Sequence, residues 1–167
     1  MKKSSPHPSQ RGTFFWHLYD EVEKNKNVVI LTGDLGFGML DDIKADFPNQ
    51  FVNCGASEQT MMDIAVGLAQ SGKIPFVYSI TPFLIRRAYE TIKLYIDHED
   101  LPIKLIGGGR DDDYKHDGFS HDATNIKELL DTCPNIEQFY PKDIEATQNL
   151  VKYAVSSEKP LFISLKR

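Results

Sequence analysis

Strand-like and helix-like segments alternate along nearly all of the 167-residue chain, which predicts an α/β fold: a three-layer α/β/α arrangement around a mainly parallel sheet. Two further observations support this. Short runs such as Val28-Val29-Ile30-Leu31 are continuously apolar and β-branched, as strands buried on both faces are. Loops rich in glycine and acidic residues follow the ends of such runs, where open α/β sheets keep their ligand sites.

Taken in order, residues 1–10 hold little that is apolar and read as a loose tail, leaving residues 11–167 as one domain. From Arg11 to Asn25, Phe14, Phe15, Leu18 and Val22 share one helical face. The strand Val28–Leu31 leads into the loop Thr32-Gly33-Asp34-Leu35-Gly36-Phe37-Gly38. Phe51–Asn53 is a short strand, and a helix follows from Glu58 to Ala69 with Met61, Ile64, Ala65 and Leu68 as its inward face. A strong strand at Ile74–Ser79 precedes a single helix marked by Phe83, Ala88, Ile92 and Ile96. The strand Ile103–Ile106 ends at three glycines and the longest loop. A helix around Ile126–Leu130, the strand Ile136–Tyr140, a helix from Asp143 to Ser156 and the strand Leu161–Leu165 complete the alternation.

Composition removes several function classes. The formal charge of −5, with no basic run, argues against nucleic acid as the main partner. No stretch approaches the roughly 20 apolar residues that span a bilayer, and the N-terminal residues lack the apolar run of a secretory signal, so the reading is cytoplasmic with no membrane partner. Cys54 and Cys133 lie far apart and suggest neither a disulfide framework nor a zinc site. The glycine loop at Gly33–Gly38 has neither the dinucleotide nor the P-loop spacing.

Three places carry candidate chemistry. Glu58 falls in the first turn of its helix with Ser57 as N-cap, a favoured place for any carboxylate; a structural role and a functional one both fit. Asp34 either caps a turn or faces a ligand at the end of the first strand. In the loop Gly107–Asp122, the run Asp111-Asp112-Asp113 with His116 and Asp117 reads as solvated surface before it reads as a metal site. His121 gains weight if the strand ends of one parallel sheet bring its loop beside Glu58.

The residues Ala56-Ser57-Glu58-Gln59, Gly72-Lys73-Ile74-Pro75-Phe76, Arg87-Ala88-Tyr89-Glu90, Asp117-Gly118-Phe119-Ser120-His121 and Pro160-Leu161-Phe162-Ile163-Ser164-Leu165 occur in an order and spacing that resembles the pyrimidine-binding domain of transketolases and deoxyxylulose-phosphate synthases. The resemblance runs from about Asn27 to Arg167. It implies the thiamine-diphosphate-binding pyrimidine-domain fold and a cofactor held between two domains. Glu58 matches the glutamate that touches the aminopyrimidine nitrogen, where a carboxyl group favours the tautomer that activates the thiazolium carbon. Phe83 matches a ring-stacking position, Ile80 stands where a second aromatic residue is usual, and Asp34 matches an aspartate of the first loop; with Glu58 these are the expected cofactor-binding set. Asp117 and His121 match substrate-contacting positions, and imidazole suits proton transfer to sugar oxygens. Glu58 and His121 are the expected catalytic pair, with no metal ligands.

The departures shape the expectation further. Family members usually place a histidine for the sugar phosphate where this chain has Gly109, so Arg110 or Lys115 is expected to supply that charge. The chain has no Gly-Asp-Gly, the motif that with a later Asn holds the diphosphate and Mg²⁺. A second subunit carrying the diphosphate-binding domain is therefore expected, in an α2β2 assembly with a homodimeric core, and exposed apolar surface beside the Glu58 helix is its expected footprint. Met61 and Met62 belong either to that footprint or to the core. The implied activity is transfer of a two-carbon ketol unit between sugars or sugar phosphates. A ligase that decarboxylates a 2-oxo acid and a non-catalytic binding or regulatory module stay open beside it.

Overall fold

The computed structural model describes residues 3–5 and 8–167. Six strands form one sheet in the order β2-β1-β3-β4-β6-β5: β1 Val28–Thr32, β2 Phe51–Asn53, β3 Ile74–Ile80, β4 Lys104–Gly108, β5 Glu137–Phe139 and β6 Leu161–Leu165. Every pairing is parallel. The expected α/β class therefore holds, with helices on both sheet faces making three layers. On one face α1 (Gln10–Lys24), α2 (Asp41–Asp46) and α7 (Ile144–Ser156) cover Val28, Ile30, Phe76, Tyr78, Ile106 and Ile163. On the other, α3 (Glu58–Gln70), α4 (Thr81–Arg86), α5 (Tyr89–Thr91) and α6 (Ile126–Leu130) cover Val29, Leu31, Val77, Leu105 and Phe162. Residues two apart along a strand share a face, so β1, β3, β4 and β6 each feed both cores.

The tail expected over residues 1–10 lies partly outside the described residues, since residues 1, 2, 6 and 7 are not among them. Lys3 sits 3.6 Å from the Trp16 ring centre and 2.6 Å from Asp20, and Ser4 donates twice to Asp42. The first helix starts at Gln10, where the Ser9 hydroxyl accepts the Gly12 amide as an N-cap does. Gln10 then ties the helix to the sheet, donating to the Pro141 carbonyl and accepting the Lys166 amide.

Four local expectations need correction. In α3 the buried positions are Met61, Met62, Ala65, Val66 and Ala69, while Ile64 is 39% exposed. Both methionines are core, so neither belongs to a surface footprint. The helix expected through Phe83 and Ile96 is broken: α4 ends at Arg86, Ala88 leaves helical geometry, and after α5 the chain widens into a π-turn over Ile92–Asp97. The five-residue gap from Phe83 to Ala88 does not fit one helical stripe, whereas the four-residue steps from Ala88 to Ile92 and Ile96 do. Strand β4 continues through Gly107 and Gly108, which the sequence suggested were loop. A Cβ on Gly107 would lie 2.5 Å from Thr81 Oγ1, and one on Gly108 2.9 Å from the Tyr78 hydroxyl, so bare backbone is what lets neighbours close over the strand end. Between β1 and β2, α2 and the 3₁₀ turn Pro48–Gln50 were not expected.

Lys104, at the start of β4, is completely buried, and its ammonium donates to the Ser157 and Lys159 carbonyls. Burial lowers its pKa from 10.5 to about 8. Among the described residues no helix is long and apolar enough to cross a membrane, and both cysteines are free.

Candidate active site

The carboxyl ends of β1, β2 and β3 converge on one side chain. Glu58 opens α3 and is only 3% exposed. Its Oε1 accepts the Ser79 hydroxyl at 3.1 Å, and its Oε2 accepts Arg87 Nη1 at 2.7 Å. Ser79 points here because it lies on the same pleat face as Val77, toward α3. Gly33, just past β1, completes the enclosure: a Cβ there would sit 3.4 Å from the Gly55 carbonyl and 3.7 Å from both Glu58 Oε1 and Ser79 Oγ. Ser57 occupies the N-cap position without capping, since its hydroxyl turns back to the Cys54 carbonyl. The Glu58 carboxylate is thus held by tertiary partners and is not an ordinary first-turn acid.

The break after α4 aims Arg87 into this cluster. The Arg87 side chain is 47% exposed, and its guanidinium carbon lies 3.8 Å from the Phe83 ring centre while one nitrogen holds Glu58. The His121 ring meets Phe83 edge-on, with centroids 4.8 Å apart. Glu58, Arg87, Phe83 and His121 therefore form one continuous run across the cleft, joining the end of β3 to the loop after β4. Ser120 Oγ lies 3.0 Å from His121 Nδ1, which leaves Nε2 as the ring nitrogen turned to other partners. Arg86 steadies this loop by donating to the Asp122 carbonyl and Asn125 Oδ1.

The other expected residues fare differently. Asp34 has φ 59° and pairs reciprocally with Asn53, its amide to Asn53 Oδ1 and Asn53 Nδ2 to its carboxylate, each at 3.0 Å. Asn53 also accepts the Gly55 amide, so it stitches together the two loops that enclose Glu58. Asp117 is exposed, with its carboxylate 3.5 Å from His116 Nε2. Ile80 stands on the opposite pleat face from Ser79 and lines a separate pocket of about 250 Å³ with Arg11, Phe37, Tyr78 and Tyr114. Arg110 corrects the expectation of a phosphate-binding cation. It is 8% exposed, and its guanidinium donates to the Pro141 carbonyl and to the hydroxyl and carbonyl of Ser164, tying β4 to β6. Burial lowers its pKa, consistent with a side chain committed to the interior. Among the described residues no three His, Cys, Asp or Glu side chains converge to hold a metal ion.

Sequence reasoning missed Ser79 and Asn53. A signal existed for Ser79, a hydroxyl inside an otherwise apolar strand.

Residues 13–167 match the family described as transketolase, pyrimidine binding domain. The whole chain aligns at 28% identity with 53% of the putative transketolase C-terminal section of Methanocaldococcus jannaschii. At 30% identity, 94% of the chain aligns with 51% of an apulose-4-phosphate transketolase subunit of Phocaeicola vulgatus. Among solved structures, a split gene transketolase described as an inactive beta4 tetramer superposes with a TM-score of 0.83 at 31% identity, over 95% of this chain and 51% of that one. The chain thus spans about half the length of these three relatives.

Proposed function

We propose, from the premise that this chain belongs to the transketolase family through its pyrimidine-binding domain, that it is half of a split, thiamine-diphosphate-dependent enzyme moving a two-carbon ketol unit between sugars or sugar phosphates. The observation that carries the reading is the buried Glu58 carboxylate, held by Ser79 and Arg87 beside the Phe83 ring and the His121 imidazole. These residues fit the pyrimidine end of the cofactor: a flat aromatic surface for a planar heterocycle and a fixed carboxylate for one ring nitrogen. Thiamine diphosphate supplies, when bound, a nucleophilic carbon that serves as the electron sink beside a ketone. Glu58 Oε2 would hold or release the proton at the ring nitrogen, in exchange for its present donor Arg87. His121 Nε2 would trade a proton with a substrate oxygen while Ser120 keeps Nδ1 engaged. Asp117 and Asp34 lie on the loops that border the same cleft.

The diphosphate and Mg²⁺ need donors that this chain's motifs do not supply, so we assign them to a second subunit. The words subunit, C-terminal section and split gene in the relatives' descriptions support that division. An α2β2 assembly on a homodimeric core is the arrangement proposed, with exposed Ile64 on α3 and Leu94 and Tyr95 on the π-turn as candidate contact surface. A reducing, cytoplasmic setting agrees with two unpaired cysteines.

Calorimetric titration of thiamine diphosphate with Mg²⁺ tests the reading. Tight binding is expected when this chain is mixed with the partner subunit, and weak or none to either chain alone. No binding in the mixture would overturn the split-site assignment and favour a non-catalytic module.

A further inference from the structure

The two groups that a pyrimidine ring would use are both taken from within the chain. Glu58 Oε1 accepts the Ser79 hydroxyl, which leaves Oε2 for another donor, and that oxygen accepts Arg87 Nη1 at 2.7 Å. The same guanidinium lies over the Phe83 ring, 3.8 Å from its centre. A guanidinium is planar and delocalised and carries N–H donors along its edge, so it offers a phenyl face and a carboxylate what an aminopyrimidine offers them. Arg87 is thus an internal stand-in for the ring. Its place in the chain suits a part that moves. It ends α4, and Ala88, at φ −112° and ψ 19°, separates it from α5. The Arg87 side chain is already 47% exposed while that of Glu58 is 3% exposed, so the cation withdraws into water at modest cost and the carboxylate does not. Without Arg87, the Glu58 charge would stand buried with a single hydroxyl donor, a costly state that the pair relieves while the site is empty.

We propose that Arg87 is an autoinhibitory latch, an arginine that fills the pyrimidine site of the unloaded chain and must leave both Glu58 and Phe83 before an aminopyrimidine can enter. The proposal rests on the cofactor-binding reading above. A ligand that binds only the unlatched form has its affinity reduced by the fraction of chains in that form. The latch is made of one charge-assisted hydrogen bond and one cation–π contact, both half open to solvent, which together hold the site closed about tenfold over open. The pyrimidine end alone gains too little to open it. Diphosphate donors on a second subunit add binding free energy from the other end of the cofactor, so loading is coupled to assembly and the lone chain stays both stable and empty.

The test uses Arg87→Met, which keeps an unbranched side chain and removes the guanidinium, and as probe the hydroxymethyl aminopyrimidine that forms one half of thiamine. Calorimetric titration of the probe into the full chain, without diphosphate, partner or turnover, reads the latch directly. Affinity should rise about tenfold in Arg87→Met. Raising the salt concentration should strengthen probe binding to the wild type, by loosening a half-exposed ion pair, and should leave the variant unchanged. If Arg87→Met fails to fold, Arg87→Lys serves in its place: the ammonium still reaches the carboxylate but does not stack as a plane on Phe83, and affinity should rise about threefold. Equal or weaker probe binding in a folded variant overturns the proposal, since Arg87 would then stand aside from the ring or help to hold it. Absence of probe binding to any form also overturns it, because there would be no pyrimidine site to close. The transferase reading stands or falls separately: tighter probe binding in Arg87→Met, with no ketol transfer in any reconstitution, would uphold the latch and remove that activity.

Discussion

Replacing Glu58 with glutamine separates the carboxylate's chemistry from its place in the fold. The side chain keeps its length, and its two acceptor positions become one carbonyl and one amino group. If the carbonyl stays on Arg87 Nη1, the amino group faces Ser79 Oγ, whose hydroxyl rotates to accept. What is lost is the charge-assisted character of a 2.7 Å bond to a guanidinium whose side chain is 47% exposed, so solvent absorbs part of the loss. The net cost is about 1 kcal/mol, the difference between a charged and a neutral hydrogen bond. For a domain of 167 residues that corresponds to a fall in Tm of about 2–4 °C. Turnover should fall far more, by about 10²–10⁴-fold, because a neutral amide cannot hold and release the proton. Thermal melting of the variant and a ketol-transfer assay on the reconstituted complex read the two effects independently. Full activity in Glu58→Gln would remove Glu58 from the mechanism, and a loss of more than about 10 °C would show that its charge is chiefly structural.

Three further outcomes follow from the same geometry. His121→Ala should slow turnover by about 10²-fold while leaving the calorimetric affinity for thiamine diphosphate in the complex nearly unchanged, and the opposite pattern would move His121 to the cofactor. Arg110→Leu should destabilise the chain by about 2–4 kcal/mol, because the Pro141 and Ser164 carbonyls lose a buried donor; an unaltered melting curve would make Arg110 an available cation again. Lys104 titrates at its ordinary 10.5 in the unfolded chain and at about 8 in the fold, so between those pH values the unfolded chain holds a proton the native state has released, and stability must rise with pH across that window. The difference amounts to about 3 kcal/mol, which denaturant melts of wild type and Lys104→Met at pH 7 and pH 10 would reveal as a slope present in the first and absent in the second.

The sheet was legible because its strands are long enough and apolar enough to admit one reading, Val28–Leu31 and Leu161–Leu165 above all. The orientation of α3 was not, because Met61, Met62, Ile64, Ala65, Val66, Leu68 and Ala69 are apolar nearly all round, and periodicity does not say which side meets the sheet. Glu58 was legible through its motif, while its anchors were not: Ser79 reaches it across the sheet and Arg87 only because the helix breaks at Ala88. Arg110 shows the converse failure. A cation beside a glycine loop looks available in one dimension, and only tertiary packing reveals that carbonyls of two other segments have already claimed it.

The strand order has a consequence for how the chain reaches its native state. β6 is the last strand in sequence, yet it lies between β4 and β5. β5 pairs with β6 through Glu137, Gln138 and Phe139 and, among the described residues, has no other neighbour in the sheet. During synthesis β5 therefore leaves the ribosome before the strand it joins. Its edge groups wait unpaired until Leu161–Leu165 slides in. Such late insertion is a non-local closure, slow by nature and open to wrong pairings while it is pending. Mutations in β6 should accordingly reduce yield of folded protein before they alter the chemistry at the other end of the sheet.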